Sequence, residues 1–289
     1  MTSRSFLDIV ARSGLAKVLG TACVFGLSMT LARTLGSAEY GVYIFAFSLL
    51  SFLVLACKLG FPDLTVRETS RLRKFGRVGF LAAFLSFQRR AILVLSSAIL
   101  IFTFLCLFAF FRGYYSEWLV FAIGLPLPFI FSLIAHNQAI LRGSGEIVRG
   151  QLAHQLIRPA VLLAFVILAI VSDTNLSALM VMGLHVAASI IVYVWTVLDT
   201  QKFIPKSPPH PVSNARKQKW STSAAVFAGV SVARVINTKF DVIALGILMS
   251  YASVGTYAVA AQLATAAAAM TFSSVSVIAN SLRLRNLTL

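Results

Sequence analysis

Residues 91–111 read AILVLSSAILIFTFLCLFAFF, an unbroken apolar run with no charge, proline or glycine. About 20 mostly apolar residues suffice for a helix to cross the hydrocarbon core of a bilayer. The run does not alternate in polarity, as the strands of a membrane barrel must. It therefore reads as a transmembrane helix, and the rest of the chain follows the same pattern. Comparable stretches lie near Leu15–Leu31, Val42–Phe61, Trp118–Leu141, Leu156–Val171, Leu176–Leu198, Ser223–Met249 and Gly255–Ala279, so eight spans are expected. Val78–Phe87 is apolar but too short to cross, and is expected to be an interfacial piece or an extension of the third helix. Composition agrees: the 289 residues are 58% hydrophobic and 12% charged, with a mean hydropathy of +0.87. A soluble domain carries about 25% charged residues, so soluble, disordered, coiled-coil, collagen-like and disulfide-scaffold classes are all excluded. The expected fold is an all-α integral membrane protein, a polytopic helical bundle. Leu15–Leu31 is not followed by a small-residue cleavage site and is read as a retained anchor.

The net charge of +16, from 25 Lys+Arg against 9 Asp+Glu, would suggest nucleic acid in a soluble chain. Placed on the eight spans, it says something else. The N-terminal segment, the tail and the connections after spans two, four and six hold all but five of the cations. Only Arg33 and Arg112 fall on the other side, and Lys58, Arg234 and Lys239 lie within spans. The positive-inside rule then puts both termini in the cytoplasm. The basic excess records topology, with attraction to anionic lipid headgroups as a by-product; no nucleic-acid partner is expected. Cys23, Cys57 and Cys106 all fall in apolar spans and make no disulfide framework.

A long-range echo carries more information. Leu35-Gly36-Ser37-Ala38-Glu39-Tyr40-Gly41-Val42-Tyr43-Ile44-Phe45-Ala46 lies between spans one and two. Leu248-Met249-Ser250-Tyr251-Ala252-Ser253-Val254-Gly255-Thr256-Tyr257-Ala258-Val259-Ala260 lies between spans seven and eight. Each gives a short exterior turn, then Gly-x-Tyr-x-x-Ala opening the next helix. The glycine permits a tight turn, and the tyrosine is expected at headgroup level as an interfacial anchor. Six helices separate the copies, an even number, so the repeat is parallel, as in transporters built from two bundles.

The segment Ala32-Arg33-Thr34-Leu35-Gly36 through Gly41-Val42-Tyr43 resembles the first hairpin of bacterial polysaccharide (O-antigen-type) flippases, within the multidrug/oligosaccharidyl-lipid/polysaccharide exporter superfamily. Leu141-Arg142-Gly143-Ser144-Gly145 with Gly150-Gln151-Leu152 and Leu156-Ile157-Arg158-Pro159 is similar to the same family. So is Lys239-Phe240-Asp241-Val242-Ile243-Ala244-Leu245-Gly246. The resemblance implies two six-helix lobes around a central cavity that opens alternately to either face. The cargo it implies is an oligosaccharide on a polyprenyl pyrophosphate, flipped across the bacterial cytoplasmic membrane. Members of the family have more spans than eight, so a C-terminally truncated member is expected, with helices supplied by a partner as the alternative. A polysaccharide polymerase is a further partner in that reading.

Ionisable groups at membrane depth cost at least ~2.5–3.5 kcal/mol each on insertion scales and default to functional candidates. Span seven concentrates them in Arg234, Asn237, Lys239 and Asp241. At 100° per residue Arg234, Asn237 and Asp241 share a face while Lys239 points away. That face is expected to line the cavity, with Arg234 meeting the pyrophosphate through its planar fork; polar glue within the bundle is the alternative. Lys17, one turn inside span one, is a further candidate at the inward mouth, or a snorkelling lysine. Lys58 reads as a snorkeller. Pro126 and Pro128 break span four, and His136-Asn137-Gln138 at its end is polar enough to face the cavity. The four histidines lack partners at metal-ligand spacing, Gly143-Ser144-Gly145 is no phosphate loop, and no acidic pair suits general acid–base work. No enzyme activity, metal or cofactor is expected.

Asp199–Trp220 carries Pro205, Pro208, Pro209 and Pro211 among basic residues and reads as an extended connector. The expected organisation is a six-helix lobe over 1–198, a linker over 199–222 and the first two helices of a second lobe over 223–289. A lipid-linked oligosaccharide flippase is the leading function. A cation-coupled multidrug exporter would favour acids at cavity depth, where Asp241 stands alone; a membrane glycosyl- or acyltransferase lacks its catalytic groups; a non-transporting scaffold is the remaining alternative.

Overall fold

The computed structural model describes residues 3–110, 115–264 and 267, the side chains of 3–10, 108–110, 115–117 and 234 excepted. Helix accounts for all the regular structure among them. The first helix, α1 (Ser3–Lys58), has 56 residues; straight, it would be about 84 Å long, far more than one crossing needs. It breaks at Gly36, whose φ of 75° and ψ of 172° are non-helical and belong to a region that glycine alone enters readily. Spans one and two are thus two helices that meet at Gly36, within the first copy of the repeat.

After the left-handed Gly60 comes α2 (Phe61–Lys74), which the sequence reading treats only as a basic connection. Phe61, Leu64, Thr65, Glu68, Thr69 and Leu72 are buried on one stripe, whereas Arg67, Arg71, Arg73 and Lys74 stay out. That i, i+3, i+4, i+7 pattern is an amphipathic helix. It lies on α5 where Gly143 lets Thr69 approach; an added Cβ there would sit 2.7 Å from the Thr69 Cβ. The next helix, α3 (Val78–Phe110), absorbs the short apolar piece Val78–Phe87 as an extension. Its far half turns Val94, Ile101, Phe102, Phe104 and Leu105 outward, the surface a hydrocarbon solvent requires.

Helices α4 (Tyr115–Gly124) and α5 (Pro126–Gly143) form one pass interrupted before Pro126. The α5 terminus is a Schellman cap: Glu146 N–H donates to the Leu141 carbonyl, Gly145 N–H to that of Arg142, and Gly145 has φ +96°. The pass that follows is α6 (Arg149–Leu152), a π-turn over Ala153–Ile157 and α7 (Arg158–Val171). Then come α8 (Ala178–Thr200) and α9 (Asn214–Leu248), with a further helical segment over 251–264.

Among the described residues five helices are long and apolar enough to cross a membrane: Ala11–Lys58, Val78–Leu107, Trp118–Gly143, Arg149–Val171 and Ala178–Phe203. The chain is an all-α polytopic membrane protein. The 48-residue Ala11–Lys58 stretch holds two of the expected eight spans. Expected span seven lies inside α9, which falls outside these five and bears Arg234, Asn237, Lys239 and Asp241 near its middle. Most of span eight and the tail lie outside the described residues.

Two differences concern the repeat and the linker. Tyr43 is no headgroup anchor: it is buried, and its hydroxyl pairs with His185 Nδ1 at 2.9 Å. The linker does not hang free either. His210 N–H donates to the Gly79 carbonyl, the His210 ring stacks on Phe80 at 4.4 Å, and Arg73 donates to the Phe203 carbonyl. Its basic half, from Asn214, is already the first turns of α9.

The two copies of the repeat meet. A Cβ at Gly41 would lie 1.8 Å from the Tyr251 carbonyl oxygen, and one at Gly255 would lie 2.1 Å from that of Ser37. Each glycine is covered by the residue four positions before the other, the reciprocity of a two-fold contact. Beside it, Glu39 accepts the Ala178 N–H at 2.8 Å at the start of α8.

Candidate functional site

A cavity of about 390 Å³ lies at the opposite end of the bundle from that contact. It runs from Ser51, Val54 and Phe131 to Lys58, Asp63, Arg142, Gly150, His154 and Arg158, where α1 and α5 finish and α6 begins. Ser231 and Val235 of α9 close one wall.

Proline chemistry aims the deepest cation. Pro159 has no N–H for the Gln155 carbonyl, and its ring would collide with that oxygen in a regular helix. The chain widens instead: Arg158 N–H reaches back five residues to the Ala153 carbonyl. Such π-turns recur at functional sites. The Gln155 carbonyl meets α1 at Gly20, where a Cβ would come within 1.9 Å of it. Because the helix begins at Arg149 and not at Leu156, Arg158 sits nine residues, about 13 Å, inside it. Counting it as a loop charge hid this. Pro159 beside it is the signal that would have exposed it.

Arg142 is held by another glycine. Its stem lies over Gly150, where an added Cβ would stand 2.4 Å from the Arg142 Cγ. Lys58 closes α1 on the same wall. Among the described residues neither these two nor Arg158 forms an ion pair; the described pairs join Arg67 and Arg71 to Glu68, and Arg149 to Asp199. Gln138 Nε2, Arg142 Nε and Gln155 Oε1 are buried and have no hydrogen-bond partner. Buried polar groups are nearly always satisfied, so the two orphaned donors, Gln138 Nε2 and Arg142 Nε, suit an anionic ligand in this basic cavity, while the orphaned acceptor Gln155 Oε1 suits a hydroxyl or N–H donor.

Above it stands an aromatic cluster. His185 lies against Phe47 (4.9 Å, stacked), Phe131 (5.9 Å) and Tyr43 (6.2 Å). Cations flank it on two sides: Arg158 over Phe131 at 4.6 Å, and Lys239 Nζ over Phe47 at 5.5 Å.

The residues singled out from the sequence are dispersed. Lys17 is exposed on α1 and its carbonyl accepts from Thr21. Asn237 is exposed on α9. Asp241 accepts the Tyr257 hydroxyl, tying α9 to the segment after it. The side chain of Arg234 lies outside the described residues. The face α9 turns inward is Ser231, Val235 and Lys239, each about 40° from the last. Lys239, set off the Arg234, Asn237 and Asp241 face by the sequence reading, lies over Phe47 of α1. Grouping span seven by its polar residues picked a different stripe. Of His136-Asn137-Gln138, Gln138 lines the cavity, whereas Asn137 donates to Thr196 Oγ1 at 3.2 Å.

Fold and site together define a polytopic helical membrane protein with a basic cavity walled by α1, α5, the pass from Arg149 to Val171 and α9. The profile of the family described as "polysaccharide biosynthesis protein" matches residues 10–279, and the chain belongs to that family. No curated protein and no solved structure matches it significantly.

Proposed function

We propose that this protein moves a polyprenyl-pyrophosphate-linked oligosaccharide across the cytoplasmic membrane by alternating access. The supporting observation is the cavity itself: Lys58, Arg142 and Arg158 with no carboxylate partner among the described residues, beside the orphaned Gln138 and Gln155. A pyrophosphate supplies what the cations and Gln138 Nε2 lack, several acceptor oxygens and negative charge, and the arginine fork suits it; a sugar hydroxyl of the same cargo can donate to Gln155 Oε1. Asp63 is the lining carboxylate and is exposed at the rim, which favours an anionic cargo over a cation-coupled drug exporter. Arg234 of α9 belongs to the same proposal as a second contact with the cargo.

The experiment is complementation of a strain lacking its own flippase, scored by surface glycan. Arg158→Gln and Arg142→Gln are expected to abolish export while membrane levels stay normal, and Arg158→Lys to restore it only in part. Full export by Arg158→Gln overturns the assignment.

A further inference from the structure

A second cleft, of about 140 Å³, lies between α2, the start of α3 and the first turns of α9. It shares no residue with the cargo cavity. Arg67, Arg71, Arg77, Arg216 and Lys219 converge on it, and Glu68 is the acidic residue among its lining. Glu68 is 4% exposed and already engaged by Arg67 at 3.3 Å and Arg71 at 3.5 Å. The net charge of the cleft is therefore strongly positive.

Aromatic rings hold these cations in place without neutralising them. The Arg216 guanidinium lies over Phe80 at 4.7 Å, and that of Arg67 over Phe227 at 5.7 Å. The Arg216 ring partner is itself clamped from its other contact by His210 of the linker. Trp220, 7% exposed and packed on Phe84 and Phe87, supplies an apolar side. The cleft also sits at a defined depth. The apolar stretch of α3 begins at Val78, immediately after Arg77, and Phe75 and Val78 beside it are 65% and 44% exposed. Cations converging where a membrane helix enters the hydrocarbon, flanked by outward apolar side chains and a tryptophan, match the level of lipid phosphates.

We propose that this cleft binds the phosphate of an anionic membrane phospholipid, held between α2 of the first lobe and α9 of the second. The lipid bridges the two parts of the chain next to the linker.

The test uses the full chain in nanodiscs, with Trp118→Phe and Trp195→Phe leaving Trp220 as the reporter. Brominated phosphatidylglycerol is expected to quench Trp220 saturably and in preference to brominated phosphatidylcholine. Arg71→Gln with Arg216→Gln should weaken that preference by about 10- to 30-fold, whereas Lys17→Gln leaves it unchanged. Native mass spectrometry of the unsubstituted protein, given equal amounts of both lipids, reads the same preference should the tryptophan variants not fold. Equal quenching by both lipids, or indifference to the double substitution, overturns the proposal. So does inorganic phosphate altering Trp220 emission while phosphatidylglycerol shows no preference.

Discussion

Tyr43 and Tyr257 occupy equivalent positions in the repeat and have taken different partners. Tyr43 pairs with buried His185 inside the first lobe, while Tyr257 donates to Asp241, which is exposed. Removing the first hydroxyl leaves a ring nitrogen unpaired in an apolar cluster, a loss of about 1–3 kcal/mol. Removing the second leaves Asp241 on the exposed surface of α9, outside any packed cluster. Tyr43→Phe is therefore expected to lower the unfolding midpoint in detergent clearly more than Tyr257→Phe; equal shifts would show that the His185 bond carries no weight. At this scale the sequence was least legible. Arg158 counts as a topological charge because a rule that sorts cations by side has no means of seeing a helix start seven residues early, and Lys58 reads as a snorkeller because its place at the end of a span says nothing of the cavity beside it. Lys239, a candidate set off the stripe of Arg234, Asn237 and Asp241, lies over Phe47, because packing and not polarity decides which face of α9 meets α1.

Among the elements, α1 shows how far periodicity carries and where it stops. The apolar runs at Leu15–Leu31 and Val42–Phe61 announce two passes, and the glycine-containing turn between them announces a reversal. What the runs do not announce is helix on both sides right up to Gly36. That residue has open space around its α-carbon, so a methyl group there meets nothing. Gly36→Ala isolates the backbone term, and is expected to cost about 1–3 kcal/mol in the same unfolding measurement. A wild-type midpoint would mean that the bend relaxes freely. The amphipathic α2 was hidden for another reason. Its buried stripe contains Thr65, Glu68 and Thr69, which hydropathy scores as polar although Glu68 is neutralised by two arginines and Thr65 donates to the Phe61 carbonyl at 2.8 Å.

For the whole molecule, the repeat was readable as a pattern but its contact was not, since spacing gives orientation and says nothing about adjacency. Gly41 and Gly255 permit backbone to touch backbone there, and neither wall is a side chain that can swing aside. Gly255→Leu is expected to separate the hairpins by several ångströms while the protein still inserts. Spin labels at Ala38→Cys and Thr256→Cys, both exposed sites, report the distance. An unchanged distance distribution would refute the pairing of the two copies.

The cavity's charge is unevenly owned. Lys58, Arg142 and Arg158 all belong to α1, α5 and the pass from Arg149 to Val171, whereas the described cavity wall of α9 is the neutral pair Ser231 and Val235. Displacing α9 therefore leaves the described electrostatic well intact and alters only what surrounds it. An anion seated there keeps its attraction as the surroundings change, and what varies is the water and salt that reach it. In the transport cycle we propose, unloading then resembles ion exchange on a fixed resin: counter-ions at the newly opened face displace the cargo, and the ionic strength on that side governs how fast it leaves.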